Sequence, residues 1–218
     1  MINTYMDIPG QTTEYNLNNI YKIADEVKQN CKGDKPKILE IGCAWGRSTW
    51  ALLDAYPDCE HHIIENWAYE RHNHYQNEIT QHPSYKLLKD NKIDIRQQRK
   101  VWKFFVSQHK NYKNIVKLNS MSSEDYIAQC MDKEFDFVFL DGSHEYDTVI
   151  KELYYFKKAL VLYGDDYRST QQELVKAVNE YYEDHIKYSK NQYLQLQAST
   201  PNAYWSIWDS EVLGNMCF

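Results

Sequence analysis

Leu17, Ile20, Tyr21, Ala24 and Val27 recur at three- and four-residue steps, which predicts an amphipathic helix over residues 14–33. Asn16 or Asn18 is available to cap it, and Gly33 to stop it. Ile38, Leu39 and Ile41 then form a short apolar run that meets Gly42 and Gly46 at once, and Arg47 to Ala55 follows as a helix with Pro57 beyond its end. His61 to Glu65 (HHIIE) is a second short strand. From Asn66 to Lys113 the pattern turns polar. A helix over Ala68 to Thr80, a turn at His82-Pro83-Ser84 and a helix over Ile95 to Gln108, buried through Val101, Trp102, Phe104 and Phe105, account for it. The part around 66–94 is more than a crossover needs and reads as a helical insertion, which either shapes a pocket or is a solvated excursion.

Asn114 to Leu118 and Phe135 to Leu140 are further strands, the second so apolar that it belongs in the middle of a sheet. Helices are expected over Glu124 to Met131, Glu145 to Leu160 and Thr170 to His185, with a strand over Val161 to Tyr163. Tyr188 to Gln197 and Tyr204 to Trp208, joined through Pro201-Asn202, read as an antiparallel pair. Strands alternating with helices predict an α/β fold with a mostly parallel sheet, in one domain over 1–218.

A net charge of −6 argues against a nucleic-acid binder, which needs a basic face. Five scattered cysteines without a C-x-x-C pair suit reduced thiols in the cytoplasm. Asp7 and Pro9 stand where an export signal would need an apolar core, and no apolar run approaches the ~18 residues that cross a bilayer. The nineteen tyrosines and six tryptophans either line a pocket or fill the core, and core filling is the commoner use. His61, His62, His72 and His74 lie near Cys59 but lack a second cluster at zinc spacing.

The chemistry is concentrated at the ends of the strands. KILEIGCAWGRS reads as strand, glycine turn and helix, a place where a ligand can approach backbone closely. Glu40, buried at the end of its strand, needs a partner such as a ligand ammonium or a ring of backbone N–H groups. Glu65 ends the second strand 25 residues later, where an acid can accept both ribose hydroxyls of a nucleotide-like ligand. Parallel strands bring Asp141, Asp165 and Asp166 to one sheet edge, and three converging carboxylates call for a cation such as Mg²⁺. The bland alternative is that Asp165 and Asp166 cap the next helix while Asp141 binds backbone N–H groups. His144, three residues past Asp141, either takes a proton from a substrate hydroxyl or caps a helix.

EIGCAWGRST, the acid of HHIIE, DGSHEYDTVIKEL and GDDY together resemble the class I S-adenosylmethionine-dependent methyltransferases. Within them they resemble the metal-dependent sugar O-methyltransferases of antibiotic biosynthesis and, more distantly, catechol O-methyltransferase. The resemblance spans about Pro36 to Tyr167. It implies a three-layer Rossmann-like fold with a seven-stranded sheet whose last strand is antiparallel. It implies that Glu40 and Gly42 lie under the methionine part of the cofactor, that Glu65 binds the ribose, that the Ser120-Met121 turn borders the adenine, and that Cys43, Ala44, Gly46, Ser48 and Asn66 also contact the cofactor. Asp141, Asp165 and Asp166 match its metal ligands, Asp141 also faces the cofactor, and Asp141 or His144 matches its base. The implied reaction is metal-assisted methyl transfer to a hydroxyl of a small molecule or sugar. Ala44 departs from the pattern, since many class I enzymes have a middle glycine there, and the usual Gly-Gly before the fifth strand is missing. An NAD-dependent oxidoreductase would want G-x-G-x-x-G, which GCAWGR lacks. Transfer to a nitrogen, protein or nucleic-acid acceptor, a non-catalytic binding protein and a homo-oligomeric state all stay open.

Overall fold

A computed structural model describes residues 2–67, 73–129, 131, 134–187, 189, 192–197 and 203–209. Its centre is a seven-stranded sheet built from β1 (Lys37–Ile41), β2 (Glu60–Ile64), β3 (Ile115–Asn119), β4 (Phe137–Leu140), β5 (Val161–Asp165), β6 (Gln192–Gln197) and β7 (Tyr204–Asp209). The spatial order is β3-β2-β1-β4-β5-β7-β6. β1 to β5 are mutually parallel, while β7 runs antiparallel to both β5 and β6. The chain therefore changes direction across the sheet between β1 and β4, and the crevice above that step is the place where open α/β sheets bind ligands.

The apolar strands divide by alternation. Ile38, Phe137, Phe139, Val161 and Tyr163 face a layer containing α1 (Glu14–Asn30) and α2 (Arg47–Ala55). Leu39, Ile41, Val138, Leu140 and Leu162 face α7 (Tyr146–Tyr155) and α8 (Gln172–Tyr181) on the other side, with α6 (Ser123–Ala128) beside them. Successive side chains of a strand point to opposite faces, so a continuous apolar run supplies two cores at once.

Several boundaries differ from the sequence reading. α1 is capped by the Thr13 hydroxyl, which accepts from Asn16 N at 3.2 Å, and it ends at Asn30, before Gly33. Asn16 is thereby free for another task. α7 ends at Tyr155 and Tyr182–Ile186 widens into a π-helical turn after α8. β5 continues to Asp165, so the first acid of GDDY is part of the sheet. Gly164 is required there because a Cβ would lie 2.3 Å from the Trp205 ring on β7. The expected helix start at 68–72, the strand start at Tyr188 and the Pro201-Asn202 turn fall outside the described residues.

The segment after β2 forms α3 (Asn73–Gln81), α4 (Tyr85–Asp90) and α5 (Gln98–Val106). It is no solvated excursion. Ile79, Leu88, Val101 and Phe105 make a satellite core with Trp45 and Trp50 of the α2 region and with Ile2 and Ile8 near the N-terminus. Nothing in the described part of this segment beyond Asn66 reaches the cavity described below. It packs on Ile2 and Ile8, next to an N-terminal strap, residues 8–12, of which Pro9 to Thr12 line that cavity. No helix among the described residues is long and apolar enough to cross a membrane. Cys31, Cys43 and Cys59 are free thiols.

Candidate active site

A cavity of about 420 Å³ opens above the β1/β4 step. Its wall includes Gly42, Cys43, Ala44 and Ser48 from the glycine turn, Glu65 and Asn66 after β2, Met121 after β3, Asp141 and His144 after β4, and Asp165 and Asp166 at β5. The loops after five elements thus meet, as the parallel strands require.

Both glycines of the turn are dictated by neighbouring chain. Gly42 has φ +84°, and a Cβ on it would lie 2.3 Å from the Asp141 carbonyl oxygen. Gly46 has φ +102°, and its Cβ would lie 2.4 Å from Val106 Cγ2 of α5. Gly46 is accordingly behind the turn and does not form part of the cavity wall. Ala44 adopts φ +45°, a left-handed conformation that costs an L-residue about 1 kcal/mol, at the position where a glycine is customary.

Glu65 closes the turn. Its Oε2 accepts from Cys43 N at 2.9 Å and Ala44 N at 3.0 Å, and its Oε1 from Trp67 N at 2.9 Å. Burial raises its pKa, and those three backbone N–H groups pull it back.

Glu40 finds partners that the sequence reading did not name. It is fully buried, but its partners belong to the chain: Ser48 Oγ donates at 2.6 Å and Thr49 Oγ1 at 2.8 Å. Trp102 Nε1 donates to the same Thr49 hydroxyl, and His61 Nε2 lies 3.4 Å from Glu40 Oε2. The carboxylate pins the first turn of α2 from below and is not on the cavity wall. Ser120 is likewise displaced from its expected place, its hydroxyl accepting from Trp67 Nε1 at 3.1 Å, whereas Met121 lines the cavity.

At the other edge the structure groups Asp141, His144 and Asp166, whose ligand atoms lie within 4.8 Å of one another. His144 joins two of the three acids in this group, and Asp165 lies beside it on the cavity wall. Asn16 Nδ2 donates to Asp165 Oδ1 at 2.5 Å and to the Ala203 carbonyl at 3.2 Å, and that same Oδ1 accepts from Asp166 N at 2.7 Å. Burial pushes the Asp165 pKa up to about 6, while the Asn16 hydrogen bond, Arg168 and His144 oppose the rise. Asp141 is raised well above its ordinary range, first by burial and then by the nearby Asp165 charge. Thr12 Oγ1 donates to Asp141 Oδ2 at 3.1 Å and offsets part of this. Burial and then the Arg168 charge lower the His144 pKa, and the Asp165 charge opposes them. Asp166, at φ +64°, aims Oδ2 at His144 Nε2, 3.1 Å away, and Oδ1 at the Arg168 guanidinium.

Four functional residues escaped the sequence reading. Thr12 and Asn16 lie far from the acids in sequence, so no spacing signal could have found them. Arg47 anchors the strap, donating from Nε to the Ile8 carbonyl at 2.8 Å and from Nη1 to the Thr12 carbonyl at 3.3 Å. Arg168, two residues past Asp166, was visible only as a cation beside an acid pair.

A glycine turn and Glu65 line one cavity at the switch point of a 3-2-1-4-5-7-6 sheet, the arrangement of the class I, S-adenosylmethionine-dependent methyltransferases. A family model described as "Methyltransferase domain" matches residues 39–164, more than half of the chain, and the protein belongs to that family. No curated protein sequence matches the chain. Among solved structures it is similar to cofactor-bound Rv0187 from MTB, with a TM-score of 0.61, 12% identity, and 94% of this chain and 84% of that one covered. The O-methyltransferase TomG from Streptomyces achromogenes, involved in tomaymycin synthesis and in complex with SAM, gives a TM-score of 0.57 at 14% identity, with 91% and 81% covered. An O-methyltransferase from Bacillus cereus in complex with SAH gives 0.50 at 12% identity, with 90% and 92% covered. At such identities the likeness concerns the fold.

Proposed function

We propose that the protein methylates a hydroxyl of a small molecule, a sugar with neighbouring hydroxyls being the acceptor class that fits best, with help from a divalent cation held by Asp141, His144 and Asp166. The observation that carries this reading is that this donor set shares one cavity with Glu65 and the glycine turn. The SAM- and SAH-bound O-methyltransferases of similar fold support the oxygen acceptor and the donor. Two carboxylates and an imidazole suit a divalent ion, and the nitrogen ligand favours Mn²⁺ over Mg²⁺, which prefers oxygen alone.

The donor supplies a methyl group already activated by its sulfonium. The cation would lower the pKa of an acceptor hydroxyl and fix its position. The remaining work is orientation and proton removal by the chain. Glu65 has about four acceptor positions and uses three on backbone N–H groups, which leaves one for a ribose hydroxyl. The neutral His144 imidazole is the form that holds a metal ion or takes a proton, and which of these it does depends on whether a cation is bound. Thr12 donates to Asp141 at the cavity wall, and the strap anchored by Arg47 contributes Pro9 to Thr12 to that wall.

The test is a mass-spectrometric screen of sugars, nucleotide sugars and catechols for a methyl gain with Mn²⁺, Mg²⁺ or EDTA. Transfer to one hydroxyl that EDTA abolishes is expected. Full activity in EDTA would remove the cation from the mechanism, and absence of S-adenosylmethionine binding by calorimetry would remove the whole reading.

A further inference from the structure

Every acid at the β4/β5 edge already has a partner supplied by the chain. Asp165 is held by Asn16, Asp141 by Thr12, and Asp166 is shared between His144 and Arg168. Among these partners Arg168 carries a permanent charge, and its guanidinium occupies Asp166 Oδ1, an oxygen that a cation held by Asp141, His144 and Asp166 would be drawn to. A dication and a guanidinium that compete for one carboxylate repel each other strongly at contact distance. The guanidinium is also incompletely satisfied where it stands: Arg168 Nε is buried with no hydrogen-bond partner. Its side chain is 30% exposed and follows β5 in a short turn, where Arg168 N donates to the Asp166 carbonyl at 2.7 Å and Gln171 N to the Arg168 carbonyl at 2.9 Å. A side chain so placed can leave Asp166 for solvent without disturbing the sheet.

We propose that Arg168 is a built-in counter-cation that competes with the divalent ion for Asp166: it neutralises the acid edge when no metal is held and sets how tightly the metal binds. This rests on the metal reading of the site given above. Arg168 is thus a positioning residue for Asp166, and it makes metal binding an exchange of one cation for another. The exchange has two consequences. Removing the guanidinium leaves the metal-free acid edge with less counter-charge, and it leaves the metal-bound edge with less repulsion.

The experiment is Mn²⁺ binding, read by electron paramagnetic resonance of the free ion, on the full chain and on its Arg168→Gln and Arg168→Lys variants, with thermal melting of each in EDTA and in Mn²⁺. Arg168→Gln is expected to bind Mn²⁺ at least tenfold more tightly, to melt lower than the parent in EDTA and to regain that loss in Mn²⁺. Arg168→Lys, which keeps a charge but not the planar fork, falls between the two. Equal or weaker Mn²⁺ binding by Arg168→Gln, with its fold intact by circular dichroism, would overturn the competition while leaving the metal site standing. Parent and variant that both fail to bind Mn²⁺ yet bind S-adenosylmethionine would overturn the metal site itself, and Arg168 competition with it. An Asp166→Asn control separates the two failures, because it abolishes Mn²⁺ binding only where the site exists.

Discussion

The two sides of the cavity are built by different means. On the glycine-turn side, Glu65 reaches Cys43 and Ala44 no more than 22 residues away, and Glu40 reaches Ser48 and Thr49 within 9. On the acid side, Thr12 and Asp141 are 129 residues apart and Asn16 and Asp165 are 149 apart. The first side joins hydroxyl and backbone donors to two carboxylates. The second crowds carboxylates whose pKa values burial raises, so it costs stability in exchange for a charged edge that can hold a cation. Local geometry makes the scaffold of the site, and long-range assembly makes its reactive part.

Substitutions can break that contrast. Gly42→Ala has the largest expected effect, because the residue is where the two sides touch: a methyl 2.3 Å from the Asp141 carbonyl at φ +84° should cost about 4 kcal/mol or more in urea denaturation. A variant as stable as the parent would mean that the β1 and β4 loops are not in contact. Glu40→Ala leaves the Ser48 and Thr49 hydroxyls without their acceptor and should cost about 3 kcal/mol, also weakening cofactor binding through the displaced α2 turn. Unchanged stability with lost cofactor affinity would restore Glu40 as a direct ligand.

Asp165→Asn should move the other way. The folded-state pKa of about 6 lies above the unfolded 3.8, so the folded chain binds more protons between the two values. The penalty is absent below pH ~4, grows as pH rises to about 6 and is complete above it, reaching about 3 kcal/mol. The asparagine variant of the metal-free protein should therefore gain stability at pH 8 and lose the advantage at pH 4, as read by melting across that range. A gain independent of pH would show that charge is not its cause. The smallest effect is expected of Ala44→Gly. It relieves a left-handed alanine but loosens the unfolded chain, so the net change stays under about 1 kcal/mol by denaturation.

Much of this was legible in the chain. The strand order of chemistry, Glu65 on the wall, Gly42 and Met121 beside it, and the antiparallel β6/β7 pair follow from periodicity, turn residues and a motif resemblance that covers the central part. The partners that Glu40 and Asp165 find within the chain were not legible, for one reason. A buried acid announces that it needs a partner, but the partner can come from any element packed against it, and here hydroxyls of α2 and the amide of Asn16 arrived first. The 66–94 segment was ambiguous because its apolar positions are sparse, and they find a core against residues distant in the chain, Ile2 and Ile8 on one side and Trp45, Trp50, Val101 and Phe105 on the other.

The sequence by itself determined the elements, the parallel sheet and the edge on which the acids gather, because alternation and strand direction are properties of the backbone. Tertiary structure alone decided which acids stand together and what neutralises each. Asp141, His144 and Asp166 come together while Asn16 holds Asp165 beside them, and Arg168 reaches Asp166 through the turn after β5. Electrostatic partnership depends on distances of a few ångströms between segments far apart in the chain, and only packing sets those distances.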